Sequence, residues 1–207
     1  MKFELSNSNI DIAEKRVLTN VSLSIKEREF LRIKGKNGSG KTILMNTLLG
    51  INRSVTGEVH IEYKKEDICY ISDTPFFFED ERINEIVLTF TYFYKEKYAN
   101  FEDYCSLLDL PLDEIKNKKV YELSKGMRKK LCLLPLFFSK PIIFFLDEIF
   151  TEIDKSTQEK ILTNLIEKHN NGATIVFVEH NESIIEKLKK KVKIEEIECK
   201  DGKLIVT

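Results

Sequence analysis

Gly35-Lys36-Asn37-Gly38-Ser39-Gly40-Lys41-Thr42 is a complete G-x-x-x-x-G-K-[ST] stretch, and its flanks decide how the chain is built. The apolar run Phe30-Leu31-Arg32-Ile33 stands before it. Ile43-Leu44-Met45-Asn46-Thr47-Leu48-Leu49 follows, with apolar residues at helical spacing. Strand, glycine-rich loop and helix in that order make a phosphate-binding loop. The glycines at 35, 38 and 40 let successive backbone N–H groups turn inward around phosphate oxygens, and the helix beginning near Lys41 adds its positive end. Lys41 is expected to reach the β- and γ-phosphates, and the Thr42 hydroxyl to ligate Mg²⁺. Asn37 and Ser39 lie inside the loop and are counted with the nucleotide-binding residues. The chain reads as a nucleotide-binding protein.

The rest of the composition narrows the class. At 207 residues there is room for one sizeable core with a small subdomain. The 33 basic and 34 acidic side chains nearly cancel, so no bulk attraction to nucleic acid is expected. The run Lys187-Leu188-Lys189-Lys190-Lys191-Val192-Lys193 follows Glu182 and Glu186 and reads as a solvated helix end. Cys69, Cys105, Cys132 and Cys199 form no C-x-x-C pair and read as buried, reduced thiols of a cytosolic protein. Met1-Lys2-Phe3-Glu4-Leu5 does not read as a signal peptide. The longest apolar region, Leu131 to Leu146, is interrupted by Pro135, Ser139, Lys140 and Pro141, whereas a bilayer span needs about 20 apolar residues. Any membrane work therefore requires spans from another subunit.

Taken in order, residues 1–33 read as β-structure, with strict alternation in Val21-Ser22-Leu23-Ser24-Ile25. Gly50 is placed to end the loop helix, and Gly57 to Glu62 and Ile68 to Ile71 read as further strands. From Phe76 to Tyr121 the pattern changes to aromatic-rich amphipathic helix, with Pro111 between helical pieces. That predicts an inserted helical subdomain, residues 76–138, within a single 1–207 domain. Phe76-Phe77-Phe78 is weighed mainly as core, with partner contact as the alternative. Ser124 is a plausible N-cap for the next helix. Ile142 to Leu146 and Thr174 to Val178 are unbroken apolar runs, expected as central parallel strands buried on both faces. Residues 196–198 and 204–206 around Asp201-Gly202 predict a closing hairpin.

In an open α/β sheet, ligands bind at the carboxyl ends of the parallel strands, where the phosphate loop, Asp147-Glu148 and His180 all fall. Asp147 is expected to hold Mg²⁺ through water, Glu148 to orient or deprotonate an attacking water, and His180 to contact the γ-phosphate.

The ordered set of phosphate loop, Leu123-Ser124-Lys125-Gly126-Met127, Ile142 to Glu148, Thr151-Glu152-Ile153-Asp154 and His180 resembles the nucleotide-binding domain of ATP-binding cassette (ABC) ATPases, from about Phe3 to Val206. The resemblance implies an α/β P-loop fold with a mixed core sheet, an N-terminal antiparallel β subdomain and an inserted helical subdomain. It also implies ATP and Mg²⁺ as cofactors, and a head-to-tail dimer with a second ABC ATPase subunit, homomeric or heteromeric. In that dimer each ATP lies between one subunit's phosphate loop and the other's signature, with Ser124 and the Gly126 backbone on the γ-phosphate and Asp154 lining the interface. The expected role is an ATPase subunit that powers a separate integral membrane permease from the cytoplasmic face.

Several positions depart from the family pattern. Lys125 and Met127 replace the usual Gly and Gln of the signature, a combination resembling exporter and antimicrobial-peptide resistance ATPases. Asp73 stands where the Gln loop normally supplies a Mg²⁺ and permease contact, and a carboxylate there is still expected to bind Mg²⁺. Asn9-Ile10-Asp11-Ile12-Ala13 offers aliphatics where an aromatic normally stacks on adenine. Ile149 and Glu152-Ile153 replace the usual Pro and Gly-Leu. The alternatives are a non-transport switch acting on a ribosome, DNA or a protein, and a weakly active subunit of a heterodimer.

Overall fold

The computed structural model describes residues 2–72, 77–95, 98–138 and 142–206. The elements are β1 (Lys2–Ile12), β2 (Lys15–Ile25), β3 (Phe30–Lys34), α1 (Lys41–Leu48), β4 (Val55–Glu62), β5 (Ile68–Ile71), α2 (Ile83–Tyr94), α3 (Tyr98–Leu107) and α4 (Leu112–Ile115). They continue with α5 (Lys125–Phe138), β6 (Ile143–Asp147), α6 (Lys155–Asn170), β7 (Thr174–Val178), α7 (Glu182–Lys189), β8 (Glu195–Lys200) and β9 (Lys203–Val206). Two compact units divide the chain: residues 1–70, 141–148 and 168–207 form the first, and residues 71–140 and 149–167 the second.

The first unit carries two sheets. One is antiparallel, in the order β2-β1-β4. The other runs β5-β6-β7-β3-β8-β9, with β6, β7, β3 and β8 parallel and β9 antiparallel at the edge. Every residue of β6 and β7 is buried, as unbroken apolar runs require of strands covered on both faces. The core formed by Leu31, Ile33, Phe145 and Val176 continues onto Leu44, Met45 and Leu48 of α1, so the helix after the phosphate loop is fixed by its apolar face. Phe3 packs edge-on against Phe145 at 5.7 Å and joins the antiparallel sheet to this core.

The β1–β2 connection is tighter than its sequence suggests. Ala13 and Glu14 hold φ 44° and 65°, and strand pairing runs down to Ile12 with Lys15. A two-residue hairpin of this kind normally uses Asn-Gly. The long alternating strands on either side outweigh the unfavourable turn residues.

The second unit is helical among its described residues. Its core is an aromatic cluster in which Phe90 of α2, Phe101 and Tyr104 of α3, and Phe138 of α5 lie with ring centroids 4.6 to 6.3 Å apart. Pro111 sits just before α4, as expected, and Pro135 lies inside α5. Leu131, Leu133, Leu134 and Leu136 around it are fully buried, and that packing carries the helix through a proline that would stop an exposed one. Within the phenylalanine triplet, Phe77 packs on Phe90 at 6.0 Å, but Phe78 is 77% exposed, so core packing does not hold across it; Phe76 lies outside the described residues. The second unit also takes in residues 149–167, which the sequence placed with the central fold.

Candidate functional site

In the first unit the carboxyl ends of β3, β6 and β7 bring one set of polar side chains together. The loop leaving β3 turns at Gly35, whose φ is 145°; a Cβ there would lie 2.4 Å from the Cys199 carbonyl oxygen and 2.5 Å from Ser39 Oγ. No larger residue enters without moving backbone. Gly40, at φ 102°, then starts α1, whose end has no side-chain cap and no acidic residue in its first turn. Its leading N–H groups and positive dipole end are suited to an anion.

Lys41 Nζ donates to the carbonyls of Gly35 (3.0 Å) and Lys36 (3.1 Å), which uses two of an ammonium's three donors. Ser39 Oγ is buried without a hydrogen-bond partner. The Thr42 hydroxyl donates to Asp147 Oδ2 at 3.1 Å, so two hard oxygens meet at the root of the loop. A Mg²⁺ site needs little more from protein, since water and phosphate oxygens complete it. Glu148 follows in a left-handed conformation, φ 50°, with its N–H on the Val178 carbonyl. Its carboxylate Oε1 lies 3.5 Å from His180 Nε2, and both side chains remain partly open to water. A cleft of about 400 Å³ is lined by Val17, Asn37, Ser39, Cys199 and Asp201. Another, of about 690 Å³, is lined by Lys36, Asn37, His180, Lys189 and Glu196. Ile10 is fully buried, while Ile12 is half exposed at the tip of the β1–β2 hairpin.

The second unit holds its own cluster. Ser124 Oγ accepts the Met127 N–H at 3.2 Å and caps α5, and Gly126 lies in the first turn. Arg128 donates to the carbonyls of Leu123 (3.1 Å) and Tyr121 (2.8 Å), which fixes the segment entering that helix. Asp154 caps α6 by accepting the Thr157 N–H at 2.9 Å. Lys130 Nζ reaches Asp154 Oδ2 at 2.9 Å. That hydrogen bond, with those of Ser156 and Thr157, holds the Asp154 carboxyl well below the usual carboxylate range. Ser124, Gly126, Lys130, Glu152 and Asp154 line a cleft of about 280 Å³. Lys125 is largely exposed, 3.9 Å from Glu152.

The sequence profile of the ABC transporter family matches residues 18–151, most of the chain. This chain belongs to the ABC transporter family. An ABC transporter ATP-binding protein of Methanocaldococcus jannaschii, MJ1023, is 30% identical over 99% of this chain and 76% of its own length. The cytochrome c biogenesis ATP-binding export protein CcmA of Reclinomonas americana is 27% identical over 84% of this chain and 83% of its own. In fold, the chain is similar to a dimeric ATP-binding cassette solved in a post-hydrolysis state with ADP and Pi, at TM-score 0.76 and 23% identity over 98% of this chain and 96% of that one. The fold is thus that of an ABC ATPase cassette, a nucleotide-binding ATPase of transport systems.

Within this ABC cassette the expected site residues separate by unit. Gly35 to Thr42, Asp147, Glu148 and His180 lie in the first, and Ser124, Gly126 and Asp154 in the second. Asp73 lies outside the described residues. Arg128, Lys130 and Arg32 belong to no sequence motif that marks a role. Lys130 and Asp154 are 24 positions apart with no periodic signal to link them. Among the described residues no cluster of three or more His, Cys, Asp or Glu forms a metal cage, and no helix is long and apolar enough to cross a membrane.

Proposed function

We propose that this ABC ATPase drives export through a separate membrane permease, by closing head to tail with a second ATPase subunit around two ATP molecules. The reading is carried by the meeting of Lys41, the Thr42–Asp147 pair and the Glu148–His180 pair at one end of the parallel sheet. Lys41 and the N–H groups at the start of α1 bind the phosphates. Thr42 and Asp147, with Asp73 assigned beside them, would hold Mg²⁺, which would supply positive charge against the phosphate oxygens. Glu148 orients the attacking water and takes its proton, and His180 holds the γ-phosphate and, through its contact with Glu148, the carboxylate in place.

Ser124 and the Gly126 backbone are assigned to the γ-phosphate bound by the partner subunit, with Asp154 at the interface. Export is favoured by Lys125 and Met127 in the signature, and CcmA is an export protein by name. Phe78, Tyr92 and Phe93 of the second unit are exposed, and we assign them to contact with the permease. The subunit then acts peripherally on the cytoplasmic face.

Dimer closure is tested by analytical ultracentrifugation of Glu148→Gln with Mg-ATP. A dimer that returns to monomer when Lys41→Ala is added is the expected result. A monomer at saturating Mg-ATP, with nucleotide bound, would overturn the closure mechanism for the isolated subunit.

A further inference from the structure

Arg32 breaks the apolar run of β3, yet it is buried, with its side chain 8% exposed. A charged group in that position must be paired on every side, and the partners are specific. Nε and Nη2 both donate to one acceptor, the main-chain carbonyl of Glu179, at 3.2 and 3.0 Å. Nη1 meets Glu196 Oε1 at 3.1 Å, and Nη2 also meets Glu182 Oε1 at 3.0 Å. Burial pushes the Glu196 carboxyl up, but hydrogen bonds from Lys189 and Arg32 and the nearby charge of Lys34 outweigh it and bring it down to about 2.

Glu179 is the residue before His180, at the point where β7 ends and the sheet's own hydrogen bonds stop. Its carboxylate folds back so that Oε1 accepts the N–H groups of both His180 and Asn181 at 2.7 Å. Asn181 Oδ1 in turn accepts the Ser183 N–H and caps α7. The backbone on either side of His180 is therefore tied from two directions, by Arg32 on the 179 carbonyl and by Glu179 on the 180 and 181 amides.

We infer that Arg32 is a positioning residue for His180: its buried guanidinium clamps the backbone that aims the imidazole at Glu148. The inference rests on the functional reading above for what His180 does, but the clamp is a property of the fold. Only a planar fork can put two donors on one carbonyl while facing two carboxylates; a lysine in the same place keeps the charge and loses the fork.

The test compares Arg32→Lys with Glu182→Gln, which removes only the exposed ion pair. In Arg32→Lys, amide hydrogen exchange at residues 180 and 181 is expected to rise about tenfold or more, with protection elsewhere unchanged. ATP turnover is expected to fall about 10- to 100-fold, the range for a misaimed group, with ATP affinity within about twofold. Glu182→Gln is expected to change neither. In a His180→Ala background, adding Arg32→Lys is expected to cost no further turnover.

Unchanged exchange at 180 and 181 in a folded Arg32→Lys protein would overturn the proposal. So would a turnover loss that persists in full without His180, or a loss of protection spread over the whole chain. The exchange arm needs no turnover. A wild-type protein that hydrolyses no ATP therefore counts against the functional reading, while the clamp is still decided by exchange.

Discussion

Glu148→Gln is expected to lower ATP turnover by about 10²- to 10⁴-fold, the usual worth of a positioned general base, while ATP binding stays within a few-fold of wild type. Glu148 leaves the buried strand β6 in a left-handed conformation, held by its N–H on the Val178 carbonyl. That conformation is costly for a residue with a side chain and persists where the surroundings enforce it. Here it directs the carboxylate to His180 while leaving it open to water. The amide of Gln keeps the size but cannot take a proton, so loss confined to kcat identifies the base. Turnover within a few-fold of wild type would mean that the Glu148–His180 pair is structural.

Lys41→Ala is expected to weaken ATP binding by about 10- to 100-fold, since a charge-assisted hydrogen bond contributes about 1.5–3 kcal/mol. Equilibrium dialysis with labelled ATP reads this directly. Lys41 is buried and bonds the Gly35 and Lys36 carbonyls. Its removal also loosens the loop, and a thermal melt taken alongside separates that effect from the lost phosphate contact. If ATP binds normally to the folded variant, nucleotide is held elsewhere.

The loop, β6 and β7 were legible because their signals are local. The glycines of the Gly35 to Thr42 loop, and runs such as Ile143-Phe144-Phe145-Leu146, follow from the chemistry of a few adjacent residues. The same holds for Ser124 as a cap. Tertiary pairing decides what local turn chemistry leaves open: Ala13-Glu14 turn a hairpin without glycine, and Pro135 lies inside a helix whose leucines are buried. Long-range polar ties left no trace in the sequence. Arg32 looked like a stray charge in an apolar strand, and its acceptors lie at residues 179, 182 and 196. The pairing of Lys130 with Asp154 was hidden for the same reason, since neither residue predicts the other.

The most direct test of the transport reading is affinity capture of Glu148→Gln from detergent-solubilised membranes in Mg-ATP, with partners identified by mass spectrometry. The account predicts a polytopic membrane protein that is retained with Glu148→Gln and lost when Lys41→Ala is added. Recovery of ribosomal or DNA-associated partners in its place, with the same dependence on Lys41, would contradict it.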